Sequence, residues 1–317
     1  MNCRRFACLS LSILLVQTAC TTATTTEPLP TTQQLISTAE QQVQANQFDQ
    51  AIAMLTPIQD LECPKRLRDQ RDLLIAQSLL ELGQPWQSFL ALENFSVLYP
   101  HSDRRSQAID IIWRAGKTLT DSDGGFLFFW SDKQAGRAVL EHLVTRHPDT
   151  DRLADALRLL GDMAFENANY ELAQERYRDI IHSRPDSDWR FYAQFRFAMS
   201  IVAGLRGPDY DLYRMELAVG ELRAFLGTNP ESPKMLAETT AALDKVLLWQ
   251  MQRHLSVADY YQTLKNRNGQ RYHLELATRE QFADVPGYQE AIEMLEAFAS
   301  SRSKAEAQSA TPVGGLQ

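Results

Sequence analysis

Four times in this chain a small residue precedes a proline by 12 positions: Ser88 and Pro100, Gly136 and Pro148, Ala173 and Pro185, Ala218 and Pro230. Four residues after each small residue stands Leu92, Leu140, Tyr177 or Leu222, and seven after it stands Phe95, Leu143, Ile180 or Phe225. A fifth frame, Ala51, Leu55 and Ile58, runs into Cys63-Pro64 one position late. Small, apolar, apolar at i, i+4, i+7 is one face of a helix. The small residue lets a neighbouring helix approach, and the proline ends its own helix. Two positions beyond each proline a hydroxyl residue, Ser102, Thr150, Ser187 or Ser232, is placed to cap the next helix. The frame recurs at intervals of 37, 48, 37 and 45 residues. A period of that size, with one helix pair per unit, predicts an all-α solenoid, an architecture that usually binds other proteins and rarely carries chemistry. No alternating segment bounded by turns is present, so no strand is expected.

The cleanest unit is 154–187, ADALRLLGDMAFENANYELAQERYRDIIHSRPDS. It resembles a tetratricopeptide repeat, with Leu157, Leu160, Gly161, Tyr170, Ala173, Tyr177 and Pro185 at that family's signature places. The resemblance implies helices over about 153–167 and 170–183, packed closely at Gly161 and Ala173 with Tyr177 filling the gap. Ala39 and Ala76 take the place of Gly161 in the first two units, and Phe48 that of Tyr170. The organisation reads as pairs at about 32–62, 67–99, 103–147, 153–184 and 188–228. A degenerate sixth pair opens with a long helix over 233–265, expected to stop at Asn268-Gly269.

Two insertions break the 37-residue period. The first, 121–134, holds Phe126, Leu127, Phe128, Phe129 and Trp130 in succession. One helix face cannot bury all five, so the run is either a plug against the solenoid or a partner or membrane-proximal contact, through Phe126, Phe128 and Trp130. The second, at 207–215, holds Asp209 and Asp211, read as loop and capping residues, and Tyr210 and Tyr213, read as loop packing with an interface anchor as the alternative.

Residues 1–19 have the layout of a secretory leader: Arg4-Arg5, then an apolar stretch from Phe6 to Val16. The run Gln17-Thr18-Ala19-Cys20 resembles a bacterial lipobox, although Gln17 stands where an apolar residue is usual. The resemblance implies cleavage before Cys20 and lipidation of its thiol; an ordinary secretory leader is the alternative. Residues 20–31 are the expected tether and 300–317 a disordered tail, leaving 32–299 for the solenoid. Thr21, not Asp, follows Cys20, which points to the periplasmic face of the outer membrane. Cys63 is then the one thiol left in the folded region, excluding an internal disulfide there, and is read as a packing residue.

The chain carries a formal net charge of −8, and loss of Arg4 and Arg5 with a leader takes it to about −10. That balance disfavours nucleic acid and anionic lipid as broad partners and favours proteins. No phosphate loop, nucleophile elbow or paired-histidine metal motif is present. His142 and His147, five apart, are expected on different helix faces. No cofactor, metal or catalytic residue is expected, and the chain reads as a non-enzyme.

Taken together, the lipobox, tether, tetratricopeptide-like pairs and long late helix resemble BamD (YfiO), the lipoprotein subunit of the outer-membrane β-barrel assembly machinery. The most specific local likeness is Leu255-Ser256-Val257-Ala258-Asp259-Tyr260-Tyr261. The resemblance implies a non-enzymatic scaffold whose N-terminal pairs receive unfolded outer-membrane proteins. It also implies docking of the barrel subunit around Ser256, Asp259, Tyr260 and Tyr261. An envelope repeat protein serving peptidoglycan, division or secretin assembly, or an arm of a cell-wall enzyme, remains the alternative.

Overall fold

The computed structural model describes residues 30–309 apart from 123–124 and 128–129; the side chains of 125–127, 130 and 302–309 also lie outside the description. Within it the chain is a run of helix pairs: α1 (Thr32–Gln44) with α2 (Phe48–Leu55), α3 (Lys65–Glu81) with α4 (Pro85–Leu92), and α6 (Arg105–Asp121) with α7 (Asp132–Arg146). Then come α8 (Leu153–Glu166) with α9 (Tyr170–Ser183), α10 (Arg190–Ala203) with α11 (Leu212–Leu226), and α12 (Pro233–Thr263) with α13 (Arg267–Ala277). A one-turn helix α5 (Phe95–Leu98) follows α4, and α14 (Tyr288–Ser309) follows α13. Each helix packs on the next, which makes the molecule an all-α solenoid.

The sequence frame is the core. Ala51, Ser88, Gly136, Ala173 and Ala218 are all buried, as are Leu55, Leu92, Leu140, Tyr177 and Leu222 four residues on. Close approach at the fourth pair needs a residue without a side chain. A Cβ on Gly161 would lie 2.7 Å from the Tyr177 ring, inside van der Waals contact. Tyr177 is wholly buried there, which contributes about 1.5–3 kcal/mol of hydrophobic stabilisation. The apolar interior forms a strip of three abutting clusters, around Leu55, Leu140 and Ala218, rather than one ball. Cys63 belongs to the first of them, and burial pushes its thiol pKa up, as suits a packing residue.

Several expectations are corrected. Two short antiparallel strands, β1 (Gly125–Leu127) and β2 (Trp130–Ser131), occur in the first insertion. Its β-prone aromatic run has no helical period to obey, so the segment pairs with itself before Ser131 caps α7. Phe128 lies outside the described residues, and so do the side chains of Phe126 and Trp130. The second pair's second helix breaks after Leu92 and resumes as α5. The long helix ends earlier than Asn268-Gly269: Lys265 takes a positive φ of 54°, and Asn266 caps α13 by accepting from the Gly269 backbone N–H. Asn268 and Gly269 therefore sit inside α13. At the other end α14 continues to Ser309, so the tail expected from 300 is helical over 300–309.

The hydroxyls after the prolines do less than capping at three of four places. Ser102, Thr150 and Ser187 accept from the backbone N–H two residues on, shaping the turn that leads into the helix. Ser232 alone among them is a helix N-cap, accepting from the Met235 N–H. Asp211 caps α11 as expected, and Asp209 pairs with Arg253 at 3.6 Å.

Candidate functional site

The first helices of the pairs are stitched to one another by polar side chains that reach across one unit. Arg66 donates to Gln33 at 3.0 Å, and Gln70 donates to Glu40 at 3.0 Å, joining α3 to α1. Arg114 on α6 donates to Glu81 on α3 at 2.6 Å, and Arg152, the cap of α8, to Asp110 on α6 at 2.7 Å. Trp189 Nε1 and the Tyr192 hydroxyl, at the start of α10, donate to Asp155 and Asp162 on α8 at 2.8 and 2.7 Å. These contacts tie successive first helices into one face with a defined register.

That face opens into a groove of about 620 Å³ over α1, α3 and α6. Its apolar floor is Val43, Leu73, Leu74 and Ile111, and its walls carry glutamines and four charged residues. The helical period explains the lining. Gln70, Leu73, Leu74 and Gln77 are spaced i, i+3, i+4, i+7 on α3, and Gln107, Asp110, Ile111 and Arg114 repeat that spacing on α6. A second opening of about 520 Å³ continues the groove between α6 and α8, lined by Ile109 with Arg105, Asp149 and Arg152.

Further along, the same face changes character. Asp162 accepts from the hydroxyls of Tyr177 and Tyr192, both at 2.7 Å, and from Arg158 at 2.8 Å. Arg158 lies over the Trp189 ring at 4.3 Å and Arg196 over Phe165 at 3.8 Å. Burial raises the pKa of both tyrosines, so they stay neutral donors. Apart from the buried Arg158 Nε, the polar groups of this cluster are engaged with one another, and they form a brace between α8, α9 and α10.

Among the residues singled out by sequence, Ser256, Asp259 and Tyr260 are exposed on α12, Tyr260 at 60%. Tyr261 does not join them. Its ring packs on α13, where a Cβ on Gly269 would come within 2.7 Å, and stacks on His273 at 5.6 Å. Tyr210 packs on the core, whereas Tyr213 is exposed. Cys20 lies outside the described residues. His142 and His147, expected apart, have ring centroids 5.9 Å apart, because His147 leaves the helix with φ −133° and folds back. His254 on α12 and His273 on α13 also meet, Nδ1 to Nδ1 at 3.4 Å. Among the described residues no group of three or more His, Cys, Asp or Glu is arranged to hold a metal ion, and no helix is long and apolar enough to cross a membrane.

The groove residues were not singled out by sequence, yet a signal existed. Counting on from Ala39, the first-helix position recurs as Ala76, Trp113, Gly161 and Ala198. The residue after each of the first four is polar: Glu40, Gln77, Arg114 and Asp162. Seven positions before those stand Gln33, Gln70, Gln107 and Asp155. The second-helix frame drew attention to what is buried and passed over this polar face.

No protein-family model matches the chain, and no curated protein does. Seventeen chains among the solved structures match. One is a structure described as the P58(IPK) TPR domain, 14% identical, covering 86% of this chain and 66% of its own length, with a TM-score of 0.25. This chain thus spans a little under two thirds of that one. An overlay so loose bears on neither fold nor function; the fold rests on the helix pairs described above.

Proposed function

We propose that this chain is a non-catalytic scaffold, anchored by lipid at Cys20 to the periplasmic face of a bacterial outer membrane, that holds other polypeptides during β-barrel assembly in the manner of BamD. The observation that carries the reading is the groove over α1, α3 and α6. It combines an apolar floor with hydrogen-bonding walls on a face whose register the cross-unit contacts hold rigid. A polypeptide segment laid along the solenoid meets such a surface over three units. The exposed Ser256, Asp259 and Tyr260 on α12 lie far along the chain from that groove, which leaves them for a second partner, the barrel subunit. The lipobox-like run ending at Cys20 and the polar stretch to Thr31 supply the anchor and tether.

The test is affinity capture of the full lipidated chain from detergent-solubilised outer membranes, beside Cys20→Ala. The expected partners are barrel-assembly subunits, with intact mass showing acyl chains on Cys20. Recovery of cell-wall, division or secretin components instead overturns the assembly role, and an unmodified Cys20 thiol overturns the anchor.

A further inference from the structure

The groove's charged groups are already engaged. Its wall carries two cations, Arg104 and Arg114, and two anions, Glu40 and Asp110. Arg114 is held by Glu81 at 2.6 Å, Asp110 by Arg152 at 2.7 Å, and Arg104 by Asp69 at 3.3 Å. Glu40 accepts from the Gln70 amide. The wall is therefore neutral in sum, and each of its cations already faces an internal carboxylate, so the groove offers a charged ligand no net attraction.

Apart from the Ser106 hydroxyl, the polar lining side chains left without a hydrogen bond or ion pair among the described residues are of one chemical kind. Gln44 on α1, Gln77 on α3 and Gln107 on α6 line the groove, and their side-chain amides make no hydrogen bond among the described residues. One uncommitted primary amide thus stands on each of three successive first helices. A primary amide carries N–H donors and a carbonyl acceptor, which can pair with the one acceptor and one donor that a peptide unit offers. Beneath these amides lie Val43, Leu73, Leu74 and Ile111, all buried or flush with the floor. Such a surface matches a strand-like segment whose main chain bonds to the amides while its small or apolar side chains rest on the floor.

We propose that this groove recognises an extended, uncharged stretch of polypeptide through its main chain, with Gln44, Gln77 and Gln107 as the hydrogen-bonding groups. The proposal rests on the reading that the groove is the binding face, and it adds what is recognised: backbone amides, not charged side chains or a terminal carboxylate. Recognition of this kind tolerates many sequences, since every residue but proline offers the same donor and acceptor. It is also insensitive to salt, because no net charge is brought together.

The probe is an end-capped peptide of about ten Ser, Thr, Val and Tyr residues, carrying a fluorophore and a photo-cross-linker, titrated against the full chain. A twin peptide is N-methylated at alternate residues, which deletes main-chain donors and leaves the side chains unchanged. Expected are cross-links to α1, α3 and α6, and binding about tenfold weaker for the N-methylated twin and for Gln77→Ala/Gln107→Ala. Raising salt from about 50 to about 500 mM is expected to change affinity by less than about twofold. Both glutamines are on the surface, so the double variant keeps its helicity, checked by circular dichroism. Groove cross-links with equal binding of the N-methylated twin, or a steep loss with salt, overturn main-chain recognition and leave the groove as the binding face. Absence of groove cross-links overturns both.

Discussion

The fourth pair and the last pair solve the same packing problem with the parts exchanged. In α8–α9 the first helix supplies the glycine, Gly161, and the second supplies the aromatic ring, Tyr177. In α12–α13 the first helix supplies the ring, Tyr261, and the second the glycine, Gly269. In both, a Cβ on the glycine would sit 2.7 Å from the ring. The surroundings differ. Tyr177 is sealed in the interior and its hydroxyl is fixed by Asp162, whereas Tyr261 is half-buried, stacks on His273, and shares that contact with the buried His254. Two helices that cross closely need one missing side chain and one flat filler, but packing does not care which helix carries which. A repeat frame does care, and this is why it finds the fourth pair and loses the last.

The comparison can be broken at its strongest point first. Ala173→Trp forces a large ring into a fully buried contact between α8 and α9, and overpacking of this kind costs about 3 kcal/mol or more here. The expected outcome is a melting temperature lowered for the whole array, since the fourth pair is interior and both neighbours lean on it. Gly161→Ala should fall in the same direction by less, because the gain in helix propensity of about 1 kcal/mol offsets part of the clash with Tyr177. An unchanged melting temperature for Ala173→Trp would remove Ala173 from the core.

Acid sharpens the contrast between regions. Burial, and then the neighbouring His273, Arg279 and Arg253, push the His254 imidazole down to about 4 from its usual 6.5. Burial first, and then His142, do the same to His147 between the third and fourth pairs. A histidine whose folded pKa is depressed is neutral in the fold while the unfolded chain takes up a proton near 6.5. Its contribution is therefore present above about pH 6.5 and is lost as pH falls to about 4, with each group worth on the order of 3 kcal/mol. His254→Gln should flatten the acid response of α12–α14, and His147→Gln that of the middle pairs, as read by hydrogen exchange between pH 7 and 4.5. Equal acid response in the wild type and both variants would show that neither ring titrates as its burial requires.

Gly269→Ala is expected to cost about 1–2 kcal/mol, less than a comparable clash in the interior, because half-buried Tyr261 has room to swing. The loss should appear as local opening of α13 and α14, with exchange in α8 and α9 unchanged; opening of the whole array would mean that the end unit holds the rest. Smallest of all, Asp211→Ala removes the cap of α11 and should cost about 1 kcal/mol, seen as fraying at Leu212 and Tyr213.

Much of this protein is legible without coordinates. The spacing of small residues, apolar residues and prolines determines the helix pairs, their order and the buried face, since period and turn chemistry are local properties of the chain. Ala51, Leu55, Leu92, Leu140, Tyr177 and Leu222 could be named as core from spacing alone, and all are buried. What only the tertiary structure decided is what depends on contacts between separate helices. The meeting of His254 with His273 and the engagement of Arg114 by Glu81 join residues 19 and 33 positions apart with no shared pattern. The groove belongs to the same class. Its free amides lie one per helix, and whether an amide is spent on a neighbour, as Gln70 is on Glu40, or left free, as Gln77 is, follows from how α1, α3 and α6 lean together. Periodicity specifies which face of a helix is polar; only the relative placement of three helices decides which polar groups remain open to a partner.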